Sequence, residues 1–289
     1  MYNKLSRGEL VMKTAIALGT FDGLHTAHQQ VLTLPSDFKK MAVTFTAPPK
    51  MVISGKKELL FTEDQKCRYL KEFGIDEIVT LDFDKVRNNS PESFLEFLQN
   101  ELRADFIACG FNYRFGKNGA GDTALLSEFC HQNKIELRVS KPYLLPDGNA
   151  LSSSYIRSLL KEGKIEKANE FLYKPFSFTA TVQMGDQRGR TIGFPTINQK
   201  YPDDLVKLRF GVYKTEVCVN GKRYEAITDI GIRPTYQIDY VISETFIKNF
   251  VGDLYGKEIT VTPIKFLRDE IKFNSLDKLK KQIEKDLEM

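Results

Sequence analysis

The chain has 289 residues, of which 42% are hydrophobic and 28% charged, and its formal net charge at pH 7 is +4. This composition is typical of globular proteins, and the length suits two domains better than one. No apolar run approaches the roughly 20 residues that span a bilayer, and the N-terminus lacks the apolar stretch of a signal peptide, so we expect no membrane partner. The mild positive charge suits the binding of anionic small molecules. The chain lacks the dense stripe of basic residues that is typical of a protein that coats nucleic acid.

The cysteines predict a reduced, cytoplasmic protein. No two of them are closely spaced, which excludes the common zinc and redox motifs. The four are Cys67, Cys109, Cys130 and Cys218.

The first half of the chain alternates short apolar runs with helical patterns. Residues 14–18 predict a strand that leads through a glycine turn into a helix beginning near His25. Thr62 and Ser90 are predicted helix caps, the latter followed by a proline in the first turn. Such alternation predicts a doubly wound parallel sheet with ligands at the carboxyl ends of its strands. Further strands are expected at 42–45, 77–81, 105–109 and 135–139, and another helix at 122–133.

The second half changes to period-two alternation after Lys174-Pro175. Asn220-Gly221 between two strand-like runs predicts a type I′ hairpin. An amphipathic helix is expected near the C-terminus. This half is typical of a small β-barrel with a terminal helix, so we predict an α/β domain over residues 1–173 and a β domain over residues 174–289.

Two histidines, His25 and His28, lie three residues apart where the first strand leads into its helix. This spacing places both imidazoles on one helix face, and the helix N-terminus favours phosphate. Gly19 and Gly23 let a ligand approach the backbone closely. A capped helix with incidental histidines and a His-x-x-His metal site to which Asp22 contributes are the alternatives.

The segment from Gly19 to His28, GTFDGLHTAH, resembles the HxGH nucleotidyltransferase signature as written in bacterial FAD synthetases, with Ala27 where glycine is usual. The resemblance implies that His25 and His28 contact the phosphates of ATP and stabilise charge as pyrophosphate leaves. Residues 152–157, SSSYIR, are similar to that family's SSTxIR motif, although by themselves the serines read as a helix N-cap. The resemblance adds Arg157 as a catalytic residue and implies ATP contacts at Gly19, Phe21, Asp22, Gly23, Ser153, Ser154 and Ile156.

A glycine-rich segment at residues 110–122 is similar to the flavin-side loop of the same family. The resemblance implies FMN contacts at Asn112, Phe115 and Gly116. One departure follows the second strand, where the family often has TFDPHP and this chain has TFTAPP at residues 44–49.

The segment 185–198, GDQRGRTIGFPTIN, resembles the riboflavin kinase signature GRxxGFPTAN. The resemblance implies a phosphate loop at Gly185, Gly189, Arg190 and Gly193, and Mg²⁺ ligands at Thr196 and Asn198. Hydroxyl and amide oxygens are chemically suited to this hard cation. Within the segment Ser243-Glu244-Thr245, the last two residues match a Glu-Thr pair of the family, whose glutamate is the general base. The resemblance therefore implies that Glu244 is the catalytic residue of this half.

Four departures add bulk or charge to the kinase-like half, namely Ile197, Asp229, Phe246 and Val251. The resemblance as a whole implies a bifunctional enzyme that phosphorylates riboflavin to FMN with MgATP and then joins FMN to AMP, making FAD. An FAD synthetase with an impaired kinase half, another nucleotidyltransferase of the superfamily, and a flavin-sensing nucleic-acid-binding regulator are the alternatives.

Overall fold

The computed structural model of the chain describes residues 12–185, 193–232 and 240–289. The chain forms two compact units. The first comprises the chain up to Ser54 together with Glu63–Leu151, and the second comprises Gly55–Thr62 together with Ser152–Met289. The predicted domain boundary at residue 173 remains a prediction.

The first unit contains a five-stranded parallel sheet with the strand order β3-β2-β1-β4-β5. The order reverses between β1 and β4, so the loops that follow these two strands flank the topological switch point where such sheets bind ligands. The strands are β1 (Thr14–Leu18), β2 (Lys39–Phe45), β3 (Glu77–Leu81), β4 (Ala104–Gly110) and β5 (Glu136–Ser140).

Helices connect these strands, and their ends follow the local sequence. Ser90 caps one helix by accepting from the Ser93 amide, with Pro91 at its first position, as predicted. Asp122 caps another by accepting from the amides of Ala124 and Leu125. The α-helices described are α1 (Thr26–Leu32), α2 (Pro49–Ser54), α3 (Glu63–Glu72), α4 (Phe83–Val86), α5 (Pro91–Glu96) and α6 (Thr123–Gln132), and a π-helix over Phe97–Glu101 follows α5.

The core of this unit lies between the sheet and α5 and α6. Apolar side chains of β1, β2 and β4 pack against both helices, and burying them is the main favourable term in folding. The buried members include Ile16, Leu18, Val43, Leu95, Ile107, Phe115 and Leu126.

The second unit contains a closed six-stranded barrel with the order β10-β7-β6-β11-β8-β9, in which every neighbouring pair is antiparallel. The predicted hairpin joins β8 to β9, and Asn220 and Gly221 have φ of 50° and 78°, as a type I′ turn requires. Buried threonines Thr215, Thr228 and Thr245 form a hydrogen-bonded row across three strands. The strands are β6 (Phe178–Gln183), β7 (Thr196–Lys200), β8 (Gly211–Val219), β9 (Lys222–Ile232), β10 (Val241–Ile247) and β11 (Glu258–Arg268).

The described part of this unit also includes α7 (Ser153–Lys161), α8 (Ile165–Phe171) and the C-terminal α9 (Leu276–Glu288). Asp286 of α9 is 1% exposed and accepts from both Nε and Nη2 of Arg268 on β11. This ion pair fixes the terminal helix to the barrel wall. The predicted α/β sheet followed by a β-barrel with a terminal helix is confirmed.

Candidate active sites

The turn after β1 has an unusual backbone. Phe21, Gly23 and Leu24 have φ of 50°, 87° and 41°, and left-handed values are costly for residues with a side chain. Gly19 is required because a Cβ there would lie 2.8 Å from the ring of Phe21, which folds back over it. The turn leads directly into His25 at the N-cap position of α1.

The two histidines of the motif lie together, as the sequence predicted. The rings of His25 and His28 stack with their centroids 3.6 Å apart and an angle of 19° between their planes. The ring centroids of Phe21 and His28 lie 5.5 Å apart in a T-shaped arrangement, and His25 is 3% exposed. This arrangement presents two imidazoles as one unit at the carboxyl end of β1, on the ligand-binding edge of the sheet.

The loop that follows β4 is closed by two main-chain hydrogen bonds between Phe115 and Gly121. Phe115 is 6% exposed, and its ring contacts Phe94 in the core at 5.3 Å. A Cβ on Gly116 would lie 2.7 Å from the nitrogen of Pro91, so this position admits glycine alone without a shift of the backbone. Phe115 and Gly116 therefore fix the conformation of the loop on its buried side, whereas Asn112 is exposed on its surface.

The residues of the serine-rich motif lie on α7, in the second unit. Ser152 caps the helix by accepting from the Tyr155 amide. Ile156 is fully buried, so its side chain belongs to the core of that unit. Arg157 donates from Nε to the main-chain oxygen of Glu58 at 2.6 Å. Ser153 is partly exposed and Ser154 is exposed, and the ATP contacts expected of this helix remain predictions.

Polar residues form a row across three neighbouring strands of the barrel wall. Asn198 on β7, Glu244 on β10 and Asp229 on β9 are register partners, so the three project on one face of the sheet. Thr196, two residues before Asn198, lies on the same face of β7. The predicted base and both predicted Mg²⁺ ligands are therefore brought together.

The side chain of Asn198 lies close to the backbone at Gly185. A Cβ at position 185 would lie 2.4 Å from Nδ2 of Asn198, and Asn198 is 5% exposed. Gly193 has φ of 85°, with open space where a Cβ would lie. The remaining predicted residues of the phosphate loop, Gly189 and Arg190, lie outside the described residues.

The four departures have separate structural outcomes. Strand alternation places Ile197 on the face of β7 opposite to Thr196 and Asn198, away from the predicted metal ligands. Phe246 packs edge-on against Phe194 at 5.0 Å. Val251 is 98% exposed. Ile197 and Val251 therefore add no bulk on the polar face of the row, whereas Phe246, the register partner of Thr196 and two residues from Glu244, lies on that face.

Asp229 is the departure that changes the electrostatics of the row. Burial, with the nearby negative charges of Glu270 and Glu244, raises the pKa of the Asp229 carboxyl to about 6. Its Oδ1 atom is buried and has no hydrogen-bond partner among the residues that the structure describes. Arg268 is the positive group that opposes this shift.

Three charged residues of structural importance are absent from the motifs. Lys66 and Asp286 are buried, at 4% and 1% exposure, and Arg138 donates to three carbonyl oxygens at the end of α1. A sequence alone predicts that such lysine, aspartate and arginine residues are exposed. Their burial depends on partners that are far away in the chain.

Comparison with protein families matches both units. A riboflavin kinase family model matches residues 172–289, and an FAD synthetase family model matches residues 9–155. Among the helices of residues 12–185, 193–232 and 240–289, none is long and apolar enough to cross a membrane.

Similar proteins and a solved structure cover nearly the whole chain. The bifunctional riboflavin kinase/FMN adenylyltransferase of Listeria monocytogenes is 32% identical over 94% of this chain and 89% of its own length. The proteins of the same name from Bacillus subtilis and Escherichia coli are each 31% identical, over 95% and 94% of this chain and 90% of their own lengths. A crystal structure described as a macrolide-efflux protein from Streptococcus pneumoniae has a TM-score of 0.85 at 27% identity, covering 97% of this chain and 94% of that one. The chain belongs to the family of bifunctional riboflavin kinase/FMN adenylyltransferases.

Proposed function

We propose that the chain makes FAD in two steps, phosphorylating riboflavin to FMN and then transferring the AMP group of ATP to FMN. The observation that carries the proposal is the stacked pair of His25 and His28 at the switch point of the parallel sheet. The substrates are ATP, riboflavin and FMN, the products include FAD and pyrophosphate, and the reaction takes place in the cytoplasm. Neither nucleic acid nor a membrane takes part.

In the adenylyl transfer, a phosphate oxygen of FMN attacks the α-phosphorus of ATP, and the bond to the bridging oxygen of pyrophosphate breaks. This in-line displacement requires no protein nucleophile, so the side chains supply position and charge stabilisation. His25 and His28 donate to the phosphate oxygens, and the backbone at Gly19 and Gly23 lets the nucleotide approach. Arg157 is the additional cation assigned to the triphosphate.

In the phosphorylation of riboflavin, the oxygen of the terminal ribityl hydroxyl attacks the γ-phosphorus of ATP and ADP leaves. Glu244 accepts the hydroxyl proton as general base. Thr196 and Asn198 fit a Mg²⁺ ion because they present a hydroxyl and an amide oxygen on one face of β7, with the Asn198 amide close to Gly185. When bound, this ion neutralises charge on the phosphates.

Chromatography of the products from riboflavin and from FMN, each with MgATP, tests both steps. His25→Ala should abolish FAD formation from FMN and leave FMN formation from riboflavin intact. Glu244→Ala should do the reverse, because His25 and Glu244 lie in different compact units. We expect each loss to be about a hundredfold or more, the range of general acid–base and electrostatic contributions.

Two matched substitutions control for general damage. His131→Ala and Glu258→Ala replace exposed residues of the same types in the same two units and should leave both activities unchanged. Equal loss of both activities in either active-site variant contradicts the division of roles. FAD formed from FMN but not from riboflavin by the unmodified chain supports the alternative of an impaired kinase half.

A further inference from the structure

Lys66 is a buried lysine on α3, in the first unit. Its side chain is 4% exposed, and its ammonium group donates to the main-chain oxygen of Phe45, the last residue of β2. Lysine is seldom buried unless its charge is paired. The carboxyl end of β2 adjoins that of β1, so the ammonium lies at the ligand-binding edge of the sheet.

Asp22 supplies the opposite charge. It is 3% exposed and lies in the turn between β1 and α1. Burial lowers the pKa of Lys66 from its usual value, and the negative charge of Asp22 is foremost among those that oppose this shift. A buried carboxylate and a buried ammonium each carry a large desolvation cost, which close pairing offsets.

The turn that contains Asp22 requires such external support. Phe21, Gly23 and Leu24, on either side of Asp22, have left-handed φ values, and strained backbone persists where the surrounding contacts over-determine it. Two hydrogen bonds already join the start of the turn to β2, from the Gly19 amide to the Val43 oxygen and from Thr44 Oγ1 to the Thr20 oxygen. Lys66 adds an electrostatic attraction to Asp22, which lies within this left-handed stretch of backbone.

We propose that Lys66 is a positioning residue for adenylyl transfer: it holds Asp22, and with it the strained turn that places His25 and His28, against the end of β2. Lys66 acts through Asp22 and does not need to touch the nucleotide. The proposal rests on the FMN adenylylation proposed above. It assigns a role to α3, which carries none of the motifs.

The first test compares substitutions on α3. Lys66→Met should lower kcat for FMN adenylylation by about a hundredfold, since a displacement of about 1 Å at reacting groups has that effect. Lys66→Arg, which keeps the charge, should retain more activity than Lys66→Met. Lys71→Met, at an exposed position of the same helix, should match the unmodified chain. Riboflavin phosphorylation, measured in the same samples, should stay unchanged in all three.

The decisive test is a double-substitution cycle with Asp22→Asn. If Lys66 acts through Asp22, adding Lys66→Met to Asp22→Asn should cost no more than about threefold in kcat, because the partner charge is already gone. A direct contact of Lys66 with ATP would instead multiply the two losses and overturn the proposal. The double variant buries no unpaired charge, so this comparison stands even where Lys66→Met alone fails to fold.

Two further outcomes would also overturn the proposal. One is Lys66→Met with adenylylation kinetics equal to those of the unmodified chain. The other is an equal loss in Lys66→Met and Lys66→Arg, which would show that the charge has no role. Absence of FAD formation by the unmodified chain is a different result, because it rejects the proposed function itself.

Discussion

At the residue scale, Asp229 shows how one departure from a family pattern acquires a measurable consequence. The resemblance predicts asparagine at this position, beside the general base. The aspartate is the strand-to-strand neighbour of Glu244, and it faces Glu270 and Asp286 as well as Arg268. Three nearby carboxylates and one cation disfavour its ionised form, so the position stores an electrostatic cost in the folded barrel.

We expect Asp229→Asn to stabilise the barrel at neutral pH and not in acid. In the folded chain the pKa of Asp229 is about 6, above its ordinary value, so the folded state holds the proton more tightly. Below the ordinary value both states are protonated, and the parent's stability falls as the pH rises through about 6. The advantage of the asparagine should therefore appear between about pH 4 and pH 6 and reach at most about 3 kcal/mol.

The measurement is the midpoint of thermal unfolding of the second unit, for parent and variant between pH 4 and pH 8. That transition is identified as the one whose midpoint shifts when riboflavin is added. Asp253→Asn, an exposed position of the same unit, serves as the control and should show no pH-dependent difference. A difference between parent and Asp229→Asn that stays constant over the whole pH range would contradict the expectation.

At the element scale, α1 is a short helix whose C-terminal end is hydrogen-bonded by an arginine of strand β5. It has seven residues, too few to be stable by itself. Arg138 of β5 donates from Nη2 to the carbonyl oxygens of Gln30, Val31 and Thr33, at 3.2, 3.2 and 2.7 Å. These carbonyls lie at the C-terminal end of the helix, where no backbone donor follows, so the guanidinium replaces the missing turn.

Arg138→Met should loosen α1 and lower FMN adenylylation while leaving riboflavin phosphorylation intact. Loss of hydrogen bonds to a charged donor should cost the first unit about 1.5–3 kcal/mol. Hydrogen exchange of the α1 amides and the heat-inactivation temperature of adenylylation measure the effect. Arg87→Met removes an exposed arginine whose ion pair with Asp84 is local to α4, and it should change neither. Unaltered exchange in α1 after Arg138→Met would refute the assignment.

At the scale of the whole molecule, the chain leaves the first unit between α2 and α3 and returns to it. Residues of Gly55–Thr62 bond within the second unit: the Leu59 amide donates to the Asp204 oxygen at 2.8 Å, and the Val206 amide donates to the Leu59 oxygen at 2.9 Å. Glu58 also accepts from Lys161 of α7 at 2.7 Å. Residues 55–62, which lie in the sequence between two parts of the first unit, therefore contribute to the stability of the second unit.

Leu59→Ala should destabilise the second unit, because Leu59 is 7% exposed and a buried leucine truncated to alanine costs about 2–5 kcal/mol. Riboflavin phosphorylation should lose activity at a lower temperature than in the parent chain. Leu144→Ala, at a leucine that is 60% exposed, is the matched control and should have no such effect. A heat-inactivation profile of the kinase activity equal to that of the parent would show that this segment contributes nothing to that unit.

The sequence by itself determined the alternating sheet, the Asn220-Gly221 hairpin, the helix capped by Ser90 and both motif sets, because each depends on residues adjacent in the chain or on a short period. Tertiary structure decided which distant residues meet. The electrostatic attraction between Lys66 and Asp22, the donation from Arg138 to α1, and the ion pair of Asp286 with Arg268 join residues of different elements. Whether a charge is buried depends on such a partner, and a single sequence shows neither the burial nor the partner.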